Sequence, residues 1–350
     1  MGLFVLGAGA TRGCSFVDAT KDPCLPPLDG DFFTQLQRVR NDKHYDLIRQ
    51  VMEDVVELFG PNFNVTMETV FTTLEHTIRM LGTTGENRDF KKDELKEKRE
   101  RLEQAIAVVL EDSIAEKDNH GHSKLTPRTC DHHKKLVSEI LQAGDEIISL
   151  NYDCVIDFAL RESGDGKWNA RYGYGFNLGA RGKSLTGDDH WQPTTQASRT
   201  QTIHLYKLHG SLHFDVTGSA GNEKVKLKQR PYTKQMGSMR FTIIPPEWHK
   251  SYDEGVFARL WQGAAEAIHY AHHIVLIGYS LPLTDLHSTA LFRTSIKKGG
   301  LKSLVVVNPD QAARQRTRAV LQRGLKPKTK ILSFEYLSHF VAADRKTWDV

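Results

Sequence analysis

The chain has 350 residues, 39% of them hydrophobic and 26% charged, and a formal net charge of +4; that is enough for one large core with a sizeable insertion and too mild a charge to argue for direct nucleic-acid binding. No apolar run approaches the roughly 20 residues of a membrane helix, and the apolar start from Gly2 to Ala8 lacks a basic leader and is too short for a signal peptide, so a cytoplasmic protein with no membrane partner is expected. The four cysteines, Cys14, Cys24, Cys130 and Cys154, show no C-x-x-C spacing, which argues against a disulfide framework and against a structural zinc site.

Leu3 to Leu6 run into Gly7-Ala8-Gly9, the pattern of a buried parallel strand that opens a phosphate-binding turn. Gly7 and Gly9 would let backbone amides approach a pyrophosphate, although a glycine pair after a strand also occurs as a plain tight turn. Cys14 to Gly30 reads as a loop lying over that turn as a flap. A dehydrogenase is disfavoured, because the spacing is Gly7-x-Gly9-x-x-x-Gly13 and Pro26-Pro27-Leu28-Asp29 stands where a strand ending in an acidic residue would be needed. Apolar stripes then predict helices over Tyr45 to Phe59, from Thr66 to a stop at Gly82, and around Leu102 to Ile114. Together they make 31–128 a helical insertion, with 1–30 and 129–350 forming the main domain. Its stripes, including Val51 and Val55, exceed what one sheet face would cover, so a homo-oligomer is expected.

Asp118 to Arg128 reads as a loop. Its His120 and His122, with Cys130, His132 and His133, make one candidate metal cluster, which is discounted because four convergent ligands at zinc spacing are missing. A helix is expected from Cys130 to Gln142. Irregular structure with short strands follows over Gly164 to Thr202, its aromatics forming a satellite core. A lysine-rich loop or edge strand lies around Lys224 to Arg230, and Pro245-Pro246 precedes a helix from Tyr252 to Tyr270. The remainder alternates helix and strand: Asp285 to Lys297, Asp310 to Arg323 and Lys330 to Phe334.

Four further apolar strands end in polar turns: Asn151-Tyr152-Asp153, His209-Gly210-Ser211, Gly278-Tyr279-Ser280-Leu281 and Asn308-Pro309-Asp310. This alternation predicts an α/β fold, a Rossmann-like doubly wound parallel sheet whose polar turns converge on one crevice.

The ordered set of Gly-Ala-Gly, Asn-x-Asp, His-Gly, Gly-x-Ser-Leu and strand-Asn resembles the sirtuin superfamily, and within it the bacterial sirtuin-like NADases of anti-phage defence. The resemblance implies NAD as substrate. It places Asn151 at the ribose or an attacking water, Asp153 at the nicotinamide carboxamide and His209 as a base. Gly7, Ala8, Gly9, Gly278 and Ser280 would bind the phosphates, and Asn308 the adenosine ribose. The residues alone also allow His209 as a turn residue and Asn151 as a helix cap.

The deacylases of the superfamily carry a four-cysteine zinc module after His-Gly. Asp215 to Ile244 contains no cysteine, so no zinc is expected, and water becomes the favoured acceptor. The expectation is an NAD+ hydrolase releasing ADP-ribose and nicotinamide as an abortive-infection effector, regulated by a partner such as a HerA-type ATPase or a short Argonaute. An NAD-dependent protein deacylase and a non-catalytic NAD or ADP-ribose sensor are the alternatives.

Overall fold

The computed structural model describes residues 1–84, 91–118, 123–176, 189–218, 223–229, 242–243 and 255–349. At its centre six parallel strands form one sheet: β1 (Gly2–Leu6), β2 (Glu146–Ser149), β3 (His204–Lys207), β4 (His273–Ile277), β5 (Ser303–Val307) and β6 (Lys330–Phe334). Their order across the sheet is β6-β5-β4-β1-β2-β3, and every adjacent pair is parallel. Strands covered on both faces read as near-continuous apolar runs, and β1, β4 and β5 are buried at every position, with the polar His273 and Ser303 at the starts of β4 and β5 hydrogen-bonded to each other at 2.8 Å. The fold is therefore α/β and Rossmann-like, as the alternation predicted.

Register aligns the strand ends. Leu6 pairs with Ile277 on one side and Ser149 on the other, Ser149 pairs with Lys207, Ile277 with Val307, and Val307 with Phe334. The polar turns thus leave the sheet along one edge. Strand order reverses between β1 and β4, so their two turns flank the switch point, where ligands enter open α/β sheets.

The helices used below are α1 (Ala8–Arg12), α2 (Tyr45–Phe59), α3 (Met67–Thr84), α4 (Lys92–Ile114), α5 (Val155–Ser163), α6 (Gly255–Tyr270), α7 (Leu286–Ser295) and α8 (Gln311–Val320). Asp285 and Asp310, expected as the first helical residues of α7 and α8, instead cap them, accepting the N–H groups of Ser288 and Ala312. Residues 251–254, where α6 was expected to begin, and Pro245-Pro246 lie outside the described residues.

Within 31–128, α2, α3 and α4 bury their stripes against one another. Val51 and Val55 are almost fully buried in a core that also contains Val70, Leu74 and Leu102. This corrects the expectation of an uncovered stripe: three amphipathic helices supply each other's partner faces. The ammonium of Lys98 enters the same bundle between Asp54 at 2.8 Å and Glu57 at 2.9 Å. α3 continues through Gly82 rather than stopping there. A glycine inside a helix costs about 1 kcal/mol, which packing readily offsets.

Ser123–Pro127 pairs antiparallel with Ala115–Lys117 where a loop was expected. His120 and His122 lie outside the described residues. The helix expected over Cys130 to Gln142 forms as Asp131–Lys135 followed by a π-helical turn, Leu136–Ile140. Lys224–Leu227 of the lysine-rich segment is an edge strand paired with Phe214–Thr217, burying Val225 and Leu227 on alternate positions; Arg230 lies outside the described residues. Trp168, Tyr174, Phe176 and Trp191 are buried around His213 and Phe214 as the expected satellite core, whereas Tyr172, expected with them, is exposed.

Candidate functional site

The glycines of the first turn face another turn. A Cβ on Gly7 or Gly9 would lie 2.7 or 2.8 Å from backbone atoms of Gly278 and Tyr279, and one on Gly278 would lie 2.0 Å from Ala10 N. Gly9 donates its N–H to Gly278 O at 2.9 Å, Gly7 to Ile277 O at 3.0 Å, and Gly278 to Val307 O at 2.9 Å. These three amides are occupied within the fold. The glycines bring the β1 and β4 turns into backbone contact at the switch point, and Ala8 begins α1 beside it.

Asn151 joins this floor from β2. Its Nδ2 donates to Gly7 O at 3.0 Å and to Thr11 Oγ1 at 3.1 Å. A carbonyl can only accept, so the amide orientation is fixed and Oδ1 is the atom left to meet a ligand. Thr11 in turn donates to Asp153 Oδ2 at 2.7 Å, while Asp153 Oδ1 accepts the Val155 N–H at the start of α5. Both oxygens of Asp153 therefore hold the turn together. On the other side, Asn308 Nδ2 lies 3.5 Å from Tyr279 O, and its Oδ1 accepts the Asp310 N–H. Ser280 is half-buried, and its carbonyl accepts Arg316 Nε. Leu281 adopts a φ of 48°, the one non-glycine residue in the left-handed region among the described residues.

His209 follows β3 and is buried, its ring 6.2 Å from that of Tyr152. The next residue, Gly210, needs its glycine: φ is 77°, and a Cβ would lie 2.2 Å from Thr242 O. Asn151 and Asp153 thus share Thr11, the glycine turns touch, and His209 borders the group through Tyr152.

Two sets of residues around the site were not foreseen. Behind the Asn151 turn, Lys207 is fully buried and donates to Asp153 O at 2.5 Å and Asp157 Oδ2 at 2.7 Å. Asp157 also accepts Tyr174 OH at 2.8 Å, and His213 joins through Tyr174 OH at 3.0 Å and Ser211 Oγ at 2.8 Å. Burial works against charge on both Lys207 and Asp157, but each stabilises the other strongly enough that Lys207 is held above its ordinary pKa and Asp157 below. Burial pushes His213 down to about 3, so it is neutral. The available signal was a lysine inside an apolar strand.

The second set fastens the flap. Arg12 donates to Pro26 O and Asp31, and Arg128 binds Phe16 O and Asp22 and stacks 4.5 Å over the Phe16 ring. The insertion also reaches this edge of the sheet, where Glu68 accepts Thr284 Oγ1 beside the β4 turn and its N–H binds Asp29.

No helix among the described residues is long and apolar enough to cross a membrane. No curated protein matches the chain by sequence. A family model described as a SIR2-like domain matches residues 145–327, just over half of the chain, running from the start of β2 to beyond α8. SIR2-like domains bind NAD and are typically NAD-utilising enzymes. With Asn151, His209, Gly278 and Asn308 all inside the matched span and set along one edge of a Rossmann-like sheet, the chain belongs to the SIR2-like domain family.

Proposed function

We propose that the protein is an NAD+ glycohydrolase that releases nicotinamide and ADP-ribose, and that it serves as an abortive-infection effector in bacterial anti-phage defence. The observation that carries the reading is the oriented amide of Asn151 beside the glycine contact at the switch point. Breaking the bond between the ribose anomeric carbon and the pyridinium nitrogen sends the electron pair to that nitrogen, so nicotinamide leaves neutral and needs little acid catalysis. What remains is to hold the ribose and place a water. Asn151 Oδ1 would accept a hydrogen bond from that water or from a ribose hydroxyl without competing as a nucleophile. The water oxygen bonds to the anomeric carbon, and its proton passes to His209. Ala8 and Ser280 would face the phosphates, and Asn308 the adenosine ribose.

In this reading the 14–30 flap and the 31–128 insertion govern access to the crevice. A partner such as a HerA-type ATPase or a short Argonaute, together with homo-oligomer assembly, would switch the enzyme on. The fastening of the flap by Arg12 and Arg128 supports such control.

The test is nicotinamide and ADP-ribose release from NAD+ by the purified chain, alone and with the neighbouring gene product. Asn151→Ala should lower the rate at least about 100-fold, the scale of a misplaced reacting group, and should keep a cooperative melt. Cleavage by the variant at the wild-type rate would overturn the assignment, as would release that depends on an acetylated peptide.

A further inference from the structure

Cys14 and Cys130 stand far apart in sequence and meet beside the site. Cys14 follows α1, while Cys130 caps the helix Asp131–Lys135, which carries His133 in its first turn. All three side chains are buried, His133 at 1% exposure. His133 Nδ1 lies 3.1 Å from Cys130 Sγ and 3.6 Å from Cys14 Sγ, and the three ligand atoms fall within 4.8 Å of one another. A tetrahedral zinc ion with bonds of about 2.3 Å to sulfur and about 2.0 Å to nitrogen separates its ligand atoms by roughly 3.5–3.8 Å. The observed triangle needs only small side-chain adjustments to meet that spacing.

We propose that Cys14, Cys130 and His133 form a binding site for one Zn2+, unrelated to the four-cysteine module of the deacylases. Two thiolates and a neutral imidazole cancel the charge of a divalent ion, so the complete unit brings no net charge into a buried place. Thiolate donors select a soft or borderline cation over magnesium or calcium. Three protein ligands leave a fourth position for water. The surroundings are already fixed: Asp131 N–H donates to Ser15 Oγ at 2.8 Å, and His132 Nδ1 lies 3.2 Å from Gly13 O. The ion would clamp the base of the flap to the chain returning from the insertion, three residues from Thr11. The other close group of ligating side chains, Cys154, Asp157 and His213, differs in kind, because the Lys207 ammonium already occupies the cation's place there.

The experiment is titration of the full-length, reduced and metal-free chain with Co2+, followed by Zn2+. One Co2+ per chain should bind with the intense near-ultraviolet absorption of thiolate-to-cobalt charge transfer, and one equivalent of Zn2+ should abolish it. Cys14→Ser and Cys130→Ser should each lose the band, while Cys24→Ser and Cys154→Ser keep it. No charge-transfer band in the wild-type chain overturns the proposal whatever the variants do. A band that survives in both Cys14→Ser and Cys130→Ser also overturns it.

Discussion

Asn151 uses both amide hydrogens on protein acceptors, so replacing it removes the contact proposed to meet the ligand and loosens the β1 turn together. Two lost hydrogen bonds are worth about 1 kcal/mol each, which a domain of this size tolerates. Lys207 is the opposite case. Replacing it with Met leaves Asp157 buried without its cation, and we expect a loss of about 3–5 kcal/mol in urea unfolding; a loss below about 1 kcal/mol would mean that Tyr174 and His213 suffice for Asp157. Glu146, at the start of β2 and away from the crevice, gives a pH signature. Burial raises its pKa from 4.5 to about 7, against the hydrogen bond from Tyr206. The folded state therefore holds the proton longer than the unfolded state, and stability falls as pH rises between those values and is flat above them. Glu146→Gln should stabilise the fold at about pH 8 by on the order of 2 kcal/mol, seen as a higher melting temperature, and change little at about pH 4. Equal shifts at both pH values would contradict this.

The elements divide by how local their causes are. β1, β4 and β5 were legible because buried parallel strands are short apolar runs closed by turn residues; β6, an exposed edge strand, was legible from the helix–strand alternation, and the bounds predicted for it are those observed. The Ser123–Pro127 strand was not, since its pairing with Ala115–Lys117 makes it a strand and its own pattern does not. For α2 the apolar period was visible, but what it packs against was not. Val51 and Val55 lie inside the helix bundle, so Val51→Ala and Val55→Ala should each cost about 1–3 kcal/mol in thermal or denaturant unfolding. Neither should change the oligomeric state; a shift in mass by light scattering would show that these side chains serve an interface.

For the whole molecule, the polar turns were readable one by one, whereas the strand order that sets the β1 and β4 turns side by side was not. Lys207 and Cys14 escaped for the same reason: each takes its meaning from residues distant in sequence, and no local period records such a meeting. Assembly is the property that belongs to this scale. Tyr45 and Met80 are exposed on the insertion at 67% and 61%, and we expect light scattering at micromolar concentration to give more than one chain per particle; a monomer would refute the homo-oligomer.

Ser15 and Asp131, 116 residues apart, are joined by a hydrogen bond. Seen from the sheet, flap and insertion are a detour that departs and returns at a single point. The entropy of closing such a detour grows only with the logarithm of its length, so lengthening or shortening it would perturb the sheet little. A fold arranged this way can exchange the detour for another while the strand ends beneath it keep their register.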